Sequence, residues 1–141
     1  MKKISRLELF IIKKCINKCV FCSESDRFDN SELSLIEIEK ILKKEKGSSK
    51  MVHFMGGEPT IHSQFASIIR LAKSIGYRTH IITNGGKFSS EYFSKKTLPY
   101  LDEIYFSIHG ATSDVHNRNT KNPNSFLNLI KGMDNLKKYY R

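Results

Sequence analysis

Cys15, Cys19 and Cys22 are the only cysteines in the 141-residue sequence, and all three fall within eight residues. A disulfide framework wants an even number of cysteines spread out to close loops. Three thiols this close point instead to one soft metal centre with three thiolate ligands. Structural zinc wants four ligands and a closed shell. A four-iron cluster held by three thiolates keeps one iron open for a substrate or cofactor. Zinc remains the rival reading, with His62 or His109 completing a tetrahedron.

Composition narrows the setting. One domain of ordinary size is expected, with 39% apolar residues to build its core. No apolar run approaches the roughly 20 residues that cross a bilayer. The run after Met1-Lys2-Lys3-Ile4-Ser5-Arg6 is too short for a secretion signal. A reducing cytoplasm is therefore the expected compartment. The net charge of +10 would attract an acidic partner or nucleic acid. The lysines are scattered, however, and no basic stripe alternates with aromatics, so nucleic acid is the weaker expectation.

The elements that must position the thiols follow from periodicity. Leu7 to Ile12 reads as a strand, and 13–31 as a long loop carrying the cysteines. Ser34 with Glu37 is a capping box, opening a helix with Leu35, Ile38, Ile41 and Leu42 on one side and Gly47 as its stop. Met51 to Met55 is a second strand, broken by Gly56-Gly57-Glu58-Pro59. His62 or Ser63 opens a helix with a stripe of Phe65, Ile68, Ile69, Ala72 and Ile75, closed by Gly76. Thr79 to Thr83 is the third strand, and Ser89 or Ser90 caps the helix that follows. Glu103 to Ile108 is the fourth strand. A polar connection with a short turn at Asp114 to His116 then leads to a last helix, opened by Asn124 or Ser125, with Phe126, Leu129, Ile130, Met133 and Leu136 on one face. Strand and helix thus alternate four times, which implies an α/β fold with a parallel sheet, its strands covered on both faces.

Each strand ends in chemically unusual residues: the cysteines, Gly56 to Thr60, Thr83 to Gly86, and Ser107 to Gly110. Ligands in parallel α/β folds bind beyond the carboxyl ends of the strands, so these groups converge on one site. Gly56 and Gly57 let a ligand approach the backbone. Glu58 offers an acceptor to an amine, Thr83 and Asn84 to hydroxyls, and Arg118 a clamp for a carboxylate. His53 is expected in the core, and His62 and His80 as plain helix-start and strand residues.

These residues resemble the radical S-adenosylmethionine (SAM) superfamily. Cys15, Cys19 and Cys22, with Phe21 before the last, match its CxxxCxxC signature. Gly56 to Pro59 matches its GGEP motif, and Thr83-Asn84-Gly85 and Ser107 to Thr112 look like its third- and fourth-strand motifs. The resemblance implies an open TIM-like barrel, here the N-terminal four β/α units over 1–141. Strands five and six and any auxiliary-cluster domain are expected to be absent. It implies a 4Fe-4S cluster on the three cysteines, its fourth iron chelated by SAM. Gly56, Gly57 and Glu58 would meet the methionyl amine, the backbone at Phe21 the adenine, and Ser107 and Arg118 the ribose and carboxylate, with Asn84 nearby and His109 given no contact. Flavodoxin or ferredoxin would supply an electron, and the resulting 5′-deoxyadenosyl radical would take hydrogen from a peptide, cofactor precursor or other small molecule. A chain of four units is expected to be a truncated product, a split half completed by a C-terminal partner, or a homodimer. On that view it binds the cluster but is inactive alone. An inert remnant or interaction subunit retaining the fold is the other alternative.

Overall fold

A computed structural model describes residues 5–140. Four parallel strands form one sheet in the order β1-β2-β3-β4: β1 Arg6–Ile12, β2 Met51–Gly56, β3 Arg78–Thr83 and β4 Glu103–Phe106. Five α-helices accompany them: α1 Leu35–Glu45, α2 Phe65–Ile75, α3 Glu91–Thr97, α4 Ser113–Thr120 and α5 Ser125–Tyr139.

Local chemistry sets these limits. Ser34 and Glu37 form the reciprocal capping box at the start of α1. Ser90 caps α3, accepting from Phe93 N. Gly76 ends α2 at a φ of 93°, which disfavours any residue with a Cβ. The α2 helix starts later than its sequence pattern implies. His62 ends a preceding 3₁₀ turn and takes the Gln64 N–H on Nδ1, so the helix proper begins at Phe65.

Strands in sequential order with right-handed crossovers place their helices on one face of the sheet. Burial follows that rule. Ile11, Val52, Phe54 and Ile81 are sealed against Ile38, Leu42, Ile68 and Ile69. Among the described residues no helix covers the opposite face, contrary to the sequence expectation. Phe10, Ile82 and Tyr105 are 49%, 48% and 57% exposed there. Strand residues alternate, so a cross-strand row of Glu8, His53, His80 and Glu103 lies on this open face. His53 and His80 are buried, but in this row rather than in the helix-covered core.

Their rings stack at 4.2 Å. Burial, then the neighbouring His80 and Arg6, push the His53 pKa down from 6.5 to about 4, with Glu8 opposing. Burial also lowers the His80 pKa, partly offset by Glu103. Both rings are therefore neutral in the fold while the unfolded chain binds protons below pH 6.5. Stability from this pair is present above 6.5 and drains as pH falls towards 4. Urea unfolding at pH 7 and pH 5 should show a loss of about 2 kcal/mol that shrinks in His53→Gln. Equal losses in the two proteins would refute the assignment.

Two further differences from the sequence pattern concern the fourth unit. Pairing of β4 stops at Phe106, because its partner strand ends at Thr83 and the chain turns at Asn84-Gly85; Ser107 and Ile108 lie beyond it. The segment around Asp114 is a two-turn helix, α4, not a turn. Thr112 caps it by accepting from Val115 N, and it buries only His116 and Thr120.

Candidate functional site

The cysteine loop is fastened at its start and in its middle. At its start, Gly57 N donates to the Ile12 carbonyl at 3.1 Å and Glu58 N to that of Lys14 at 2.9 Å. The middle is held by α4: Lys18 N donates to the Thr120 carbonyl and Val20 N to that of Asn119, both at 2.9 Å. Asn122 Nδ2 donates to Asn17 Oδ1 at 2.8 Å. The short polar helix that periodicity missed is thus a brace for the thiols.

All three cysteines are free, half-buried and line one cleft of about 390 Å³. Gly56, Gly57, Glu58, Asn84 and Ser107 line the same cleft, and Phe21 closes a side of it. Phe21 lies 4.6 Å from the His109 ring, which also borders the cleft although sequence reasoning gave it no contact. Its place at a strand's carboxyl end was the signal available. Met55 and His53 are further lining residues that the motifs did not mark. Arg118 is exposed on α4 and is not among the residues lining the cleft.

Glu58 organises the strand tips. Its carboxylate is buried. Oε1 accepts from Thr60 N at 3.2 Å, Thr60 Oγ1 at 2.6 Å and Thr83 Oγ1 at 2.7 Å; Oε2 accepts from Asn84 N at 2.8 Å. The tips of β2 and β3 are therefore tied through one side chain. Burial raises its pKa, against the pull of these donors. Asn84 in turn points Nδ2 at Cys15 Sγ, 4.0 Å away, and Asn17 N donates to the same sulfur at 3.4 Å.

A family model described as the radical SAM superfamily matches residues 9–141. The chain belongs to that superfamily. A probable GTP 3',8-cyclase of Saccharolobus solfataricus is 28% identical over 134 residues, covering 94% of this chain and 43% of the relative. An S-adenosylmethionine-dependent nucleotide dehydratase of Selenomonas ruminantium is 35% identical over 118 residues, covering 82% and 41%. The radical SAM chain here thus spans less than half the length of these curated relatives. Among solved structures, Streptococcus suis SuiB bound to its precursor peptide SuiA superposes with a TM-score of 0.71 at 23% identity, covering 88% of this chain and 29% of SuiB. TYW1 with a lysine-pyruvate adduct gives 0.66 at 19% identity, covering 92% and 50%. These likenesses establish the fold, a partial radical SAM barrel of four β/α units among the described residues.

The superfamily implies a 4Fe-4S cluster and SAM, and the donor set fits. Three thiols face one cleft, and Cys15 Sγ already receives two hydrogen bonds of the kind that favour a thiolate. Burial nevertheless pushes the Cys15 thiol up to about 11, with Glu58, Cys19 and Cys22 adding to the rise. Burial likewise raises Cys19. Without a cation these groups stay protonated; a bound metal is what makes them thiolates. Among the described residues no three His, Cys, Asp or Glu side chains are grouped tightly enough for a single ion. The zinc reading loses one candidate fourth ligand, because His62 Nε2 faces the Leu33 carbonyl at 2.8 Å while Nδ1 takes the Gln64 N–H.

The Glu58 arrangement carries a prediction. In Glu58→Gln an amide N–H must face either the Asn84 N–H or the Thr60 and Thr83 donors. The variant should lose about 1–3 kcal/mol in urea unfolding. An unchanged midpoint would mean that the β2–β3 tie is not made through this carboxylate.

Proposed function

We propose that this chain binds a 4Fe-4S cluster on Cys15, Cys19 and Cys22 and holds SAM against it with the tips of β2, β3 and β4. The observation that carries this reading is that the three thiols and the Gly-Gly-Glu, Asn84 and Ser107 tips line one cleft. When bound, the cluster supplies the electron that cleaves SAM to a 5′-deoxyadenosyl radical able to abstract hydrogen from a substrate. The chain's own residues bind and orient. Gly56 and Gly57 present backbone groups to the methionyl end, and Glu58, whose carboxylate is taken up by Thr60, Thr83 and Asn84, holds the strand tips around it. Ser107 takes a ribose hydroxyl, Phe21 and His109 flank the adenine, and Asn84 steadies Cys15. Arg118, exposed on α4, is the proposed clamp for the SAM carboxylate.

Flavodoxin or ferredoxin is the proposed electron donor, and the cytoplasm the proposed compartment. Among the described residues no helix is long and apolar enough to cross a membrane. The nucleotide-acting names of the curated relatives favour a nucleotide as hydrogen donor. The open sheet face supports a second part of the proposal: substrate-coupled turnover needs additional protein, either a complementing C-terminal half or a second copy, over Phe10, Ile82 and Tyr105.

Anaerobic reconstitution with iron and sulfide, followed by a 5′-deoxyadenosine assay, tests both parts. Loading of about four irons per chain supports cluster binding. A colourless protein with one zinc would overturn it, and full coupled turnover by the chain alone would overturn the second part.

A further inference from the structure

The hydrogen bonds around Cys15 lead to a residue that no motif marks. Asn17 N donates to Cys15 Sγ at 3.4 Å and is a nearer donor than Asn84 Nδ2 at 4.0 Å. Asn17 is only 3% exposed, and its Oδ1 accepts from Asn122 Nδ2 at 2.8 Å, across 105 positions of sequence. The next amide, Lys18 N, donates to the Thr120 carbonyl at 2.9 Å. Residues 17 and 18 are thus held together from the C-terminal end of α4. Lys121, between the two anchoring residues, has a φ of 50° and is the one non-glycine residue with a positive φ among the described residues. A side chain in that left-handed region is strained and persists only where its surroundings over-determine it. Asn122 is over-determined in this way: its N donates to the Asn117 carbonyl at 3.3 Å, its Oδ1 accepts from Asn124 N at 3.1 Å, and its carbonyl accepts from Ser125 Oγ at 3.0 Å.

We propose that Asn122 and Asn17 are positioning residues that set the reduction potential of the cluster, by aiming the Asn17 N–H at Cys15 Sγ. This rests on the cluster reading above and deepens it. A thiolate ligand shares the negative charge of its cluster, and that charge grows when one electron is added. A donor aimed at the sulfur therefore favours the reduced state over the oxidised one and raises the potential. An ordinary loop amide can turn towards water. This one is held on two sides, by the Asn17 side chain on Asn122 and by Lys18 N on Thr120. A contact that only fastened the loop would cost stability when removed and leave the potential where it was.

The test is a dithionite redox titration of the anaerobically reconstituted 141-residue chain, followed by electron paramagnetic resonance. It compares wild type, Asn122→Ala, Asn17→Ala and the double variant. Asn122→Ala should load as much iron as wild type but hold the added electron about tenfold less tightly, a potential lower by about 59 mV. Asn17→Ala should shift it as far, and the double variant no further, because both act through one contact. An unmoved potential in Asn122→Ala at full iron loading, or single shifts that add in the double variant, would overturn the proposal. Hydrogen exchange of the metal-free wild type decides even where a variant fails to fold. The Asn17 amide should be protected there, and exchange at the rate of a free loop would also overturn the proposal. A wild-type chain that takes up no iron refutes the cluster reading and this proposal with it, whereas an iron-loaded Asn122→Ala with the wild-type potential refutes this one alone.

Discussion

Cys15→Ser, Cys19→Ser and Cys22→Ser should each abolish iron loading while leaving the fold intact. A serine hydroxyl is far harder to ionise than a thiol and is a poor ligand for iron held among sulfurs. Removing even an outer-shell partner of a metal site costs about 10–100-fold in affinity, so loss of a direct ligand costs more. The fold is insulated because the loop is held by its backbone, through Lys18, Val20, Gly57 and Glu58, and not by the thiols. At position 15 a hydroxyl oxygen can still accept from Asn17 N, as the sulfur does at 3.4 Å. The expected change in unfolding free energy is therefore within about 1 kcal/mol. Iron per chain and visible absorbance after anaerobic reconstitution read the first effect, and urea unfolding the second.

A pH dependence accompanies it. The Cys15 thiol is pushed up to about 11, so loading must release its proton and is opposed by acid. Apparent iron affinity should fall steadily as pH is lowered from 8 to 6. Wild-type iron content in any of the three serine variants, or loading indifferent to pH, would remove the cysteines from the role proposed for them.

Much of this site was legible in the sequence because its signals are local. The spacing of the thiols, the Gly-Gly-Glu-Pro break and the Asn84-Gly85 turn each fall where an apolar run stops. Parallel topology alone then brings those stops to one side. The capping box at Ser34 and the glycine stop at Gly76 were readable for the same reason. What escaped has no periodic signature. The α4 helix is almost wholly polar and its one large apolar residue, Val115, is exposed, so no stripe announces it. Its value lies in hydrogen bonds that Thr120 and Asn119 make to the cysteine loop some hundred positions earlier. In the last helix, Leu129 and Gly132 are buried whereas Ile130, assigned to the core face, is exposed. A helix stripe does not show that Gly132 sits against the Gly85 carbonyl, where an added Cβ would come within 2.6 Å. The histidine row was likewise invisible until register placed Glu8, His53, His80 and Glu103 side by side.

Gly57→Ala should be among the most damaging single substitutions in the molecule. An added Cβ would stand 2.6 Å from the Lys14 carbonyl carbon and 3.1 Å from Cys15 Cβ, and closer still to the Lys14 carbonyl oxygen. These are mostly backbone atoms, so no side chain can swing aside. The loop must move away from the β2 tip, and the hydrogen bonds from Gly57 N to Ile12 and from Glu58 N to Lys14 stretch with it. Overpacking costs about 1–3 kcal/mol. Each weakened hydrogen bond adds about 1 kcal/mol. The expected loss is therefore about 3–5 kcal/mol, and it displaces the first thiol from the other two, so iron loading should fall with it. Gly47→Ala is the matched control, because nothing lies within 4 Å of the added carbon. It should be neutral or stabilise by up to about 1 kcal/mol through the unfolded chain. Urea midpoints and iron content of the two variants, measured side by side, decide the matter. If Gly57→Ala unfolds at the midpoint of Gly47→Ala and loads iron normally, the β2 tip does not press against the first cysteine, and the packing that aims the thiols must be sought elsewhere.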